Sequence, residues 1–169
     1  MEINNISVIG SGTMGNGIAH VCGLNGFNTF LVDIDMDLLD NAVNNIELNL
    51  SKQLSKGLIS KKQKNSCLNN ITTTMSINDI IDSDLVIEAI PENQKIKENL
   101  FKELDIKCKT DTILASNTSS ISITELSNIT NRPDKVIGMH FMNPVPIMKL
   151  VEVISTKETS DSTKNSILS

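Results

Sequence analysis

The chain has 169 residues, of which 39% are hydrophobic, a size and composition typical of one globular domain. Its formal charge is -5, only 2% of its residues are aromatic, and it has neither Trp nor Tyr, so the composition argues against a nucleic-acid-binding surface. No apolar run approaches the roughly 20 residues that cross a bilayer, and no signal peptide is apparent at the N-terminus.

The three cysteines are odd in number and widely spaced, at Cys22, Cys67 and Cys108, and none of them forms a Cys-x-x-Cys pair. This spacing argues against a disulfide framework and against a structural zinc site. No cluster of His, Cys and carboxylate residues has metal-ligand spacing either. We therefore expect three reduced thiols, a cytoplasmic location and no metal.

Short β-branched runs alternate along the chain with longer segments of mixed polarity, the pattern of parallel strands joined by crossover helices. Lys56 and Gly57 predict a helix C-terminus and Ser60 predicts the next N-cap, so a helical hairpin is expected between them. For the polar segment after Ile154, the sequence allows either a helix or a frayed tail. The predicted strands are residues 6–9, 29–32, 71–75, 85–90, 112–115, 136–139 and 150–154, and the predicted helices are 14–24, 36–55, 61–68, 93–107 and 122–128.

A glycine-rich turn follows the first predicted strand, in "VIGSGTMGNGIAH", with Gly10, Gly12 and Gly15 in the G-x-G-x-x-G spacing of dinucleotide-binding turns. Gly10 would make the tight turn, Gly12 would let backbone approach a pyrophosphate, and Gly15 would let the helix pack on the strand. Thr13 and Met14 open the helix, whose N-terminus offers free N–H groups to phosphates. A purely structural glycine turn is the alternative interpretation.

An acidic residue supports the nucleotide-binding interpretation, because Asp33 in "FLVDID" ends the second predicted strand, about twenty residues after the glycines. A carboxylate at this place can accept hydrogen bonds from ribose hydroxyls and repels a 2′-phosphate, which favours NAD over NADP. The nearby Asp35 is interpreted as a solvated charge, and the Asn-rich surface of the helix that follows is interpreted as a solvated face.

Candidate catalytic residues lie in the second half of the chain. His140 ends one predicted strand and Glu152 lies in the next, and side chains at the carboxyl ends of such strands meet around the cofactor crevice. A carboxylate that reaches the imidazole can hold one tautomer and stabilise the imidazolium. Ser119 in "ASNTSS" is a hydroxyl near the same edge. The alternatives are a structural role for His140 and a turn or cap role for Ser119. His20 in the first helix has no evident partner and is interpreted as structural.

Four segments in order, "VIGSGTMGNGIAH", "LVIEAIPENQKIKENLF", "ILASNTSS" and "RPDKVIGMHFMNPVPIMKLVEV", resemble the 3-hydroxyacyl-CoA dehydrogenases, most closely the bacterial 3-hydroxybutyryl-CoA type. The resemblance covers nearly the whole chain. It implies an α/β fold: a Rossmann-type doubly wound, mostly parallel sheet with a helical hairpin insertion. It also implies NAD as cofactor and the oxidation of a (3S)-3-hydroxyacyl-CoA to the 3-oxoacyl-CoA, or the reverse reduction, in fatty-acid or butyrate metabolism.

The resemblance implies a role for each site residue as well. His140 would be the general base that takes the hydroxyl proton, Glu152 the carboxylate that orients it, and Ser119 the hydroxyl that binds the reacting oxygen. The positions expected to line the cofactor are Glu92, Lys97 and Asn143, and Lys56 would face the CoA phosphates.

Members of this family continue into a helical domain that completes the active site and forms the dimer interface. We expect residues 1–169 to be the NAD-binding domain alone, with its last strand in question, and to encode one wall of the site. The alternatives are an NAD-binding module without catalysis and one half of a split dehydrogenase. The expected partners are an acyl-CoA and either a second copy or a separate helical chain, with no membrane and no nucleic acid.

Overall fold

The computed structural model describes residues 2–169, and its elements follow the predicted α/β order. Two short 3₁₀ turns, Ile77–Ile80 and Pro133–Lys135, were not predicted. None of the helices within residues 2–169 is long and apolar enough to cross a membrane. The strands are β1 (Asn5–Ile9), β2 (Asn28–Val32), β3 (Ile71–Thr74), β4 (Leu85–Glu88), β5 (Ile113–Ser116), β6 (Val136–Phe141) and β7 (Val151–Ile154). The helices are α1 (Thr13–Leu24), α2 (Met36–Ser55), α3 (Lys61–Asn69), α4 (Gln94–Lys107), α5 (Ile123–Asn128) and α6 (Asp161–Leu168).

The seven strands form one sheet in the order β3-β2-β1-β4-β5-β6-β7. The first six are parallel to one another, and β7 is antiparallel to β6. This is the strand order of a Rossmann-type doubly wound sheet, so the predicted fold class is confirmed. The order reverses between β1 and β4, and a crevice therefore opens at the carboxyl ends of these two strands.

Alternate strand residues feed two apolar clusters, one on each face of the sheet. Val8 and Leu31 belong to the cluster that contains buried residues of α1, α2 and α3. Their chain neighbours Ile9 and Val32 belong to the cluster that contains buried residues of α4 and α5. Because both faces are covered, the strands read as continuous hydrophobic runs, which is what made them recognisable in the sequence.

Two strands end two residues away from their predicted ends, and every other strand boundary lies within one residue of the prediction. The strand β4 ends at Glu88, two residues early, because the N–H of Ile90 donates to the Glu88 carboxylate at 2.8 Å instead of continuing the ladder. The strand β6 runs on to Phe141, which pairs with Val151 of β7. His140 therefore lies inside β6 rather than at its end.

The predicted helical hairpin is confirmed by its caps. Lys56 is the C-cap of α2, and Gly57 follows it with φ +68°. Ser60 forms a capping box with Gln63 at the start of α3. The prediction for Asp35 was incomplete, since this side chain caps α2 by accepting the N–H of Asp37 at 2.8 Å.

The segment after Ile154, left open by the sequence, forms α6 rather than a frayed tail. Ser160 is its N-cap and accepts the N–H of Thr163 at 3.2 Å. The Thr163 hydroxyl in turn donates to the backbone carbonyl of Asp134 at 2.8 Å. These bonds anchor the first turn of α6 to the segment that leads into β6.

The buried His20 has a partner that the sequence did not reveal. Its Nε2 lies 3.3 Å from Oε1 of Gln53, while its Nδ1 has no hydrogen-bond partner among residues 2–169. Burial lowers the pKa of His20, and the bond to Gln53 offsets this only in part. The three cysteines are free and buried, and burial raises the pKa of Cys22 to about 12 and that of Cys67 to about 11.

Candidate active site and cofactor crevice

At two of the three motif glycines, a side chain would clash with the protein's own backbone. Gly10 has φ +97°, and a Cβ there would lie 2.7 Å from the carbonyl oxygen of Ala89. A Cβ on Gly15 would lie only 1.7 Å from the carbonyl oxygen of Gly10. A side chain at Gly15 would thus push α1 off the turn that precedes it.

Gly12 is different, because a Cβ at this position would meet no protein atom within 4 Å. It is the N-cap of α1, no side chain caps this helix, and no acidic residue lies in its first turn. The first N–H groups of the helix, around Thr13 and Met14, are left for an anion. Open space beside an uncapped helix N-terminus fits the pyrophosphate of a dinucleotide.

Asp33 lies beside the same turn and is held by three hydrogen bonds. Its Oδ2 accepts the backbone N–H and the hydroxyl of Ser11, each at 2.7 Å, and its Oδ1 accepts the N–H of Ile34 at 2.7 Å. A carboxylate has about four acceptor positions, so a ligand hydroxyl can still bind. The role of Ser11 was missed in the sequence, where it was simply the residue between two glycines.

His140 and Glu152 face each other across the pair of β6 and β7. The Nδ1 of His140 lies 2.7 Å from Oε2 of Glu152. An ionised carboxylate only accepts, so beside it a neutral imidazole would carry its hydrogen on Nδ1 and keep a lone pair on Nε2. The His140 side chain is 25% exposed and that of Glu152 is 52% exposed. The arrangement is that of an oriented base at an open cleft.

A cleft of about 380 Å³ at the carboxyl ends of the strands is lined by six of the thirteen predicted site residues. A neighbouring cleft of about 380 Å³ is lined by Ser119, His140 and Glu152 together with hydroxyl side chains of the turn after β5. A larger cavity, of about 590 Å³, lies elsewhere, on an apolar stretch of the sheet beside α6, and no predicted site residue lines it. The predicted residues that line the first cleft are Met14, Glu92, Lys97, Ser119, His140 and Asn143.

Lys97 lines this cleft but has no donor to spare. Its side chain is 1% exposed, and its ammonium contacts the Glu88 carboxylate, the Ile90 carbonyl at 3.1 Å and Oε2 of Glu92 at 3.2 Å. A lysine has three donors, so all of them are used within the protein. Lys97 therefore holds the wall of the cleft. The sequence analysis did not identify its partner Glu88. A carboxylate within the apolar run "LVIEAI" could have indicated a buried ion pair.

Glu92 carries a fixed negative charge at the mouth of the cleft. Its Oε1 accepts the hydroxyls of Thr118 and of Ser120, the latter at 2.8 Å, and its Oε2 faces Lys97. Partial burial by itself raises the pKa of Glu92, but the bonds from Thr118, Ser120 and Lys97 and the lysine charge lower it to about 2.

Lys56 is not brought to the His140 cleft. It is exposed and lines a groove of about 380 Å³ between the helical hairpin and the Pro144 to Ile147 segment. The asparagines interpreted as a solvated face line a further cleft of about 350 Å³, which also contains Gly12 and Asn143. They are spaced four residues apart, which places them on one face of α2. This spacing could have indicated that they line a cleft together. These asparagines are Asn41, Asn45 and Asn49.

No group of three or more His, Cys, Asp or Glu side chains within residues 2–169 could hold a metal ion. The polar groups that line the clefts beside His140 are hydrogen-bond donors and acceptors together with its imidazole. This set suits an organic cofactor bound through phosphate and hydroxyl groups.

Comparison with known proteins gives consistent matches over almost the whole chain. The family described as "3-hydroxyacyl-CoA dehydrogenase, NAD binding domain" matches residues 5–169. A 3-hydroxybutyryl-CoA dehydrogenase of Clostridioides difficile is 48% identical over 162 residues, covering 96% of this chain and 58% of that protein. The human mitochondrial hydroxyacyl-coenzyme A dehydrogenase is 42% identical over 172 residues, covering 98% of this chain and 55% of that protein.

A solved structure agrees in fold over the same extent. The crystal structure of (S)-3-hydroxybutyryl-CoA dehydrogenase from Ralstonia eutropha superposes with a TM-score of 0.95 at 41% identity. It covers 98% of this chain, which in turn covers 59% of that one. The chain thus spans about half the length of the curated relatives it matches, between 55% and 58% for the two proteins above.

Proposed function

The chain belongs to the family of NAD-binding domains of 3-hydroxyacyl-CoA dehydrogenases, and from this premise we propose that it carries the base and the cofactor site for oxidising a (3S)-3-hydroxyacyl-CoA to the 3-oxoacyl-CoA, or for the reverse reduction. The observation that carries the proposal is the His140–Glu152 contact of 2.7 Å at a cleft beside a dinucleotide-binding turn. NAD, when bound, supplies the hydride acceptor.

His140 is proposed to take the proton of the 3-hydroxyl on Nε2. Glu152 keeps the imidazole hydrogen on Nδ1 and stabilises the imidazolium that forms after the transfer. The pair comes from two strands that are hydrogen-bonded to each other, so the ring orientation is set by the sheet. A general base held in this way typically contributes about 10²- to 10⁴-fold to the rate.

The other site residues are proposed to bind and orient. Ser119, which lines both clefts that His140 lines, would donate a hydrogen bond to the reacting oxygen. Gly12 and the first turn of α1 would hold the pyrophosphate of NAD, and Asp33 would hold the ribose hydroxyls.

An acyl-CoA is the proposed substrate, with a short acyl chain as in 3-hydroxybutyryl-CoA, the substrate named for the relatives of Clostridioides difficile and Ralstonia eutropha. Lys56, exposed beside a groove of about 380 Å³, would pair with a CoA phosphate. We also propose a cytoplasmic location, in keeping with three buried free thiols.

A second candidate is NAD binding without turnover by this chain alone. The exposure of Glu152, 52% of its side chain, favours it, because hydride transfer is served by a site from which water is excluded. Catalysis would then need a helical domain, a separate chain or a second copy to cover the open cleft.

One experiment separates the two candidates. The protein is titrated with NADH by nucleotide fluorescence, against a background without Trp or Tyr, and the same preparation is assayed for acetoacetyl-CoA reduction. Binding with turnover supports the dehydrogenase, and size-exclusion chromatography then tests for self-association. Binding without turnover supports the second candidate, and absence of binding overturns the proposed cofactor site.

A further inference from the structure

We propose that Glu92 is a positioning residue for Ser119 and that the buried Glu88–Lys97 pair fixes Glu92 in turn. The inference rests on the proposed function, in which Ser119 binds the reacting oxygen. It gives Glu92 and Lys97 a task toward Ser119 in addition to the cofactor contacts that the family resemblance implies for them.

Ser119 depends on its backbone for its position. Its side chain is exposed at the mouth of two clefts, and its hydroxyl has no hydrogen-bond partner within residues 2–169. The turn after β5 must therefore be held by the residues on either side of Ser119.

Both of those neighbours are bound to a single carboxylate oxygen. The hydroxyls of Thr118 and Ser120 donate to Oε1 of Glu92. The Thr118 hydroxyl oxygen also accepts the N–H groups of Ser120 at 3.2 Å and of Ile121 at 2.9 Å. Glu92 thereby clamps the turn on each side of Ser119.

The same turn is tied to the strand that carries the proposed base. The Oδ1 of Asn117 accepts the N–H of Phe141 at 2.9 Å, one residue beyond His140. The turn around Ser119 thus has one attachment to β6 and two attachments to Glu92, and the placement of Ser119 relative to His140 depends on all three.

A half-exposed glutamate would not hold a turn by itself, since its side chain has several accessible rotamers. The ammonium of Lys97 fixes it, with Nζ 3.2 Å from Oε2 of Glu92. Lys97 is itself held by Glu88, which is fully buried and accepts the Ser116 hydroxyl at 2.5 Å. The buried pair is therefore fully hydrogen-bonded and links the end of β4 to the Ser119 turn.

Loss of the clamp should affect chemistry more than cofactor binding. A displacement of about 1 Å at a reacting group can cost roughly 10²-fold in rate. We expect Glu92→Ala to lower turnover about 10- to 100-fold at NADH concentrations that saturate the variant, so that the loss is separate from any change in the Kd for NADH. Glu92→Gln keeps an oxygen acceptor for both hydroxyls but loses the acceptor and the charge that face Lys97, so it is expected to lose less turnover than Glu92→Ala.

Amide hydrogen exchange measured by NMR tests the clamp without any activity. The amides of Ser120 and Ile121 should exchange faster in Glu92→Ala, and Ser120→Ala should give a smaller change in the same direction. Glu103→Ala is the matched control, because Glu103 forms only a surface pair with Lys107 on α4; both amides should then exchange as in the wild type.

Two results would overturn the proposal. The first is unchanged exchange at both amides in Glu92→Ala. The second is a Kd for NADH that rises more than about tenfold while turnover at saturating NADH is retained, since this would make Glu92 a cofactor contact. If the wild type itself binds NADH without turnover, the second candidate under the proposed function holds, and the exchange measurement still decides whether Glu92 clamps the turn.

Discussion

His140 lies directly opposite Glu152 in the antiparallel pair of β6 and β7, and its Nδ1 is 2.7 Å from the Glu152 carboxylate. The two residues are twelve apart in the chain, and the loop between them returns β7 onto the edge of the sheet. A fixed spacing in sequence thus becomes a direct contact between neighbouring strands.

His140→Gln is expected to lower turnover about 10²- to 10⁴-fold, because it removes the proposed base for the substrate proton. The Kd for NADH should change less than about threefold, since the glycine turn and Asp33 are untouched. Steady-state acetoacetyl-CoA reduction and NADH fluorescence measure the two quantities. Unchanged turnover would remove His140 from its proposed role.

Glu152→Gln should have a smaller effect, about 10- to 100-fold in turnover. The amide oxygen can still accept the Nδ1 hydrogen, but the negative charge that stabilises the imidazolium is lost. Glu158→Gln is the matched control, because Glu158 is an exposed carboxylate just after β7. Equal losses in both variants would show that the effect is not specific to the pair.

Gly12→Ala and Gly15→Ala are expected to fail in different ways. An alanine at Gly12 meets no protein atom and weakens an N-cap by less than about 1 kcal/mol, so Tm should fall by no more than about 4 °C. The added methyl would occupy the space proposed for the pyrophosphate, so the Kd for NADH should rise more than about tenfold.

Gly15→Ala places its methyl 1.7 Å from the Gly10 carbonyl oxygen and should cost about 3 kcal/mol or more, lowering Tm by roughly 6–12 °C. Thermal unfolding followed by circular dichroism and NADH titration separate the two variants. A Gly12→Ala protein that binds NADH normally would contradict the proposed pyrophosphate site.

The parts of the structure set by local patterns were predictable. Val8 and Ile9 pack into different apolar clusters, because successive side chains of a strand point to opposite faces of the sheet. The helical hairpin was predicted from Gly57 and Ser60, the residues at its turn. The contact of Ser11 with Asp33 was not predictable, because it depends on how closely β1 and β2 bring two loops together.

The network of Glu88, Lys97 and Glu92 could not be predicted from the sequence either. A lysine in an amphipathic helix usually reaches solvent, and only the packing of α4 on the sheet turns Lys97 inward. Long-range side-chain pairs of this kind depend on the register between elements, which residue pattern alone does not fix.

Asp33→Ala is expected to raise the Kd for NADH about 10- to 100-fold, because hydrogen bonds to a charged group are worth about 1.5–3 kcal/mol. The ratio of NADPH to NADH affinity should move toward one, since the charge that repels a 2′-phosphate is gone. Ser11→Ala should cause a smaller change in the same direction by releasing one of the bonds on Oδ2. Asp40→Ala, which removes an exposed carboxylate of α2, is the control. Unchanged affinities for both nucleotides in Asp33→Ala would contradict the proposal that Asp33 binds the ribose hydroxyls.

The last prediction concerns the stability of the fold near neutral pH. Because burial lowers the pKa of His20, the unfolded chain takes up a proton at pH values where the native state does not. The free energy of unfolding should therefore fall as the pH is lowered through about 6.5, the ordinary value for histidine, and level off below the native pKa. The depressed pKa values of Asp84, Glu92 and Asp105 give a separate loss of stability below about pH 4.

Urea unfolding followed by circular dichroism at pH 7.5, 6.5 and 5.5, at constant ionic strength, measures how the free energy of unfolding changes with pH. These pH values lie above those at which the carboxylates take up protons. The chain has only two histidines, so the His140→Gln variant leaves His20 as the single imidazole in an NMR titration. Its midpoint should lie below 6.5, because Nδ1 is buried without a partner and a proton there could not be solvated. A midpoint at or above 6.5, together with a flat stability between pH 7.5 and 5.5, would show that water reaches His20 and that its burial does not oppose protonation.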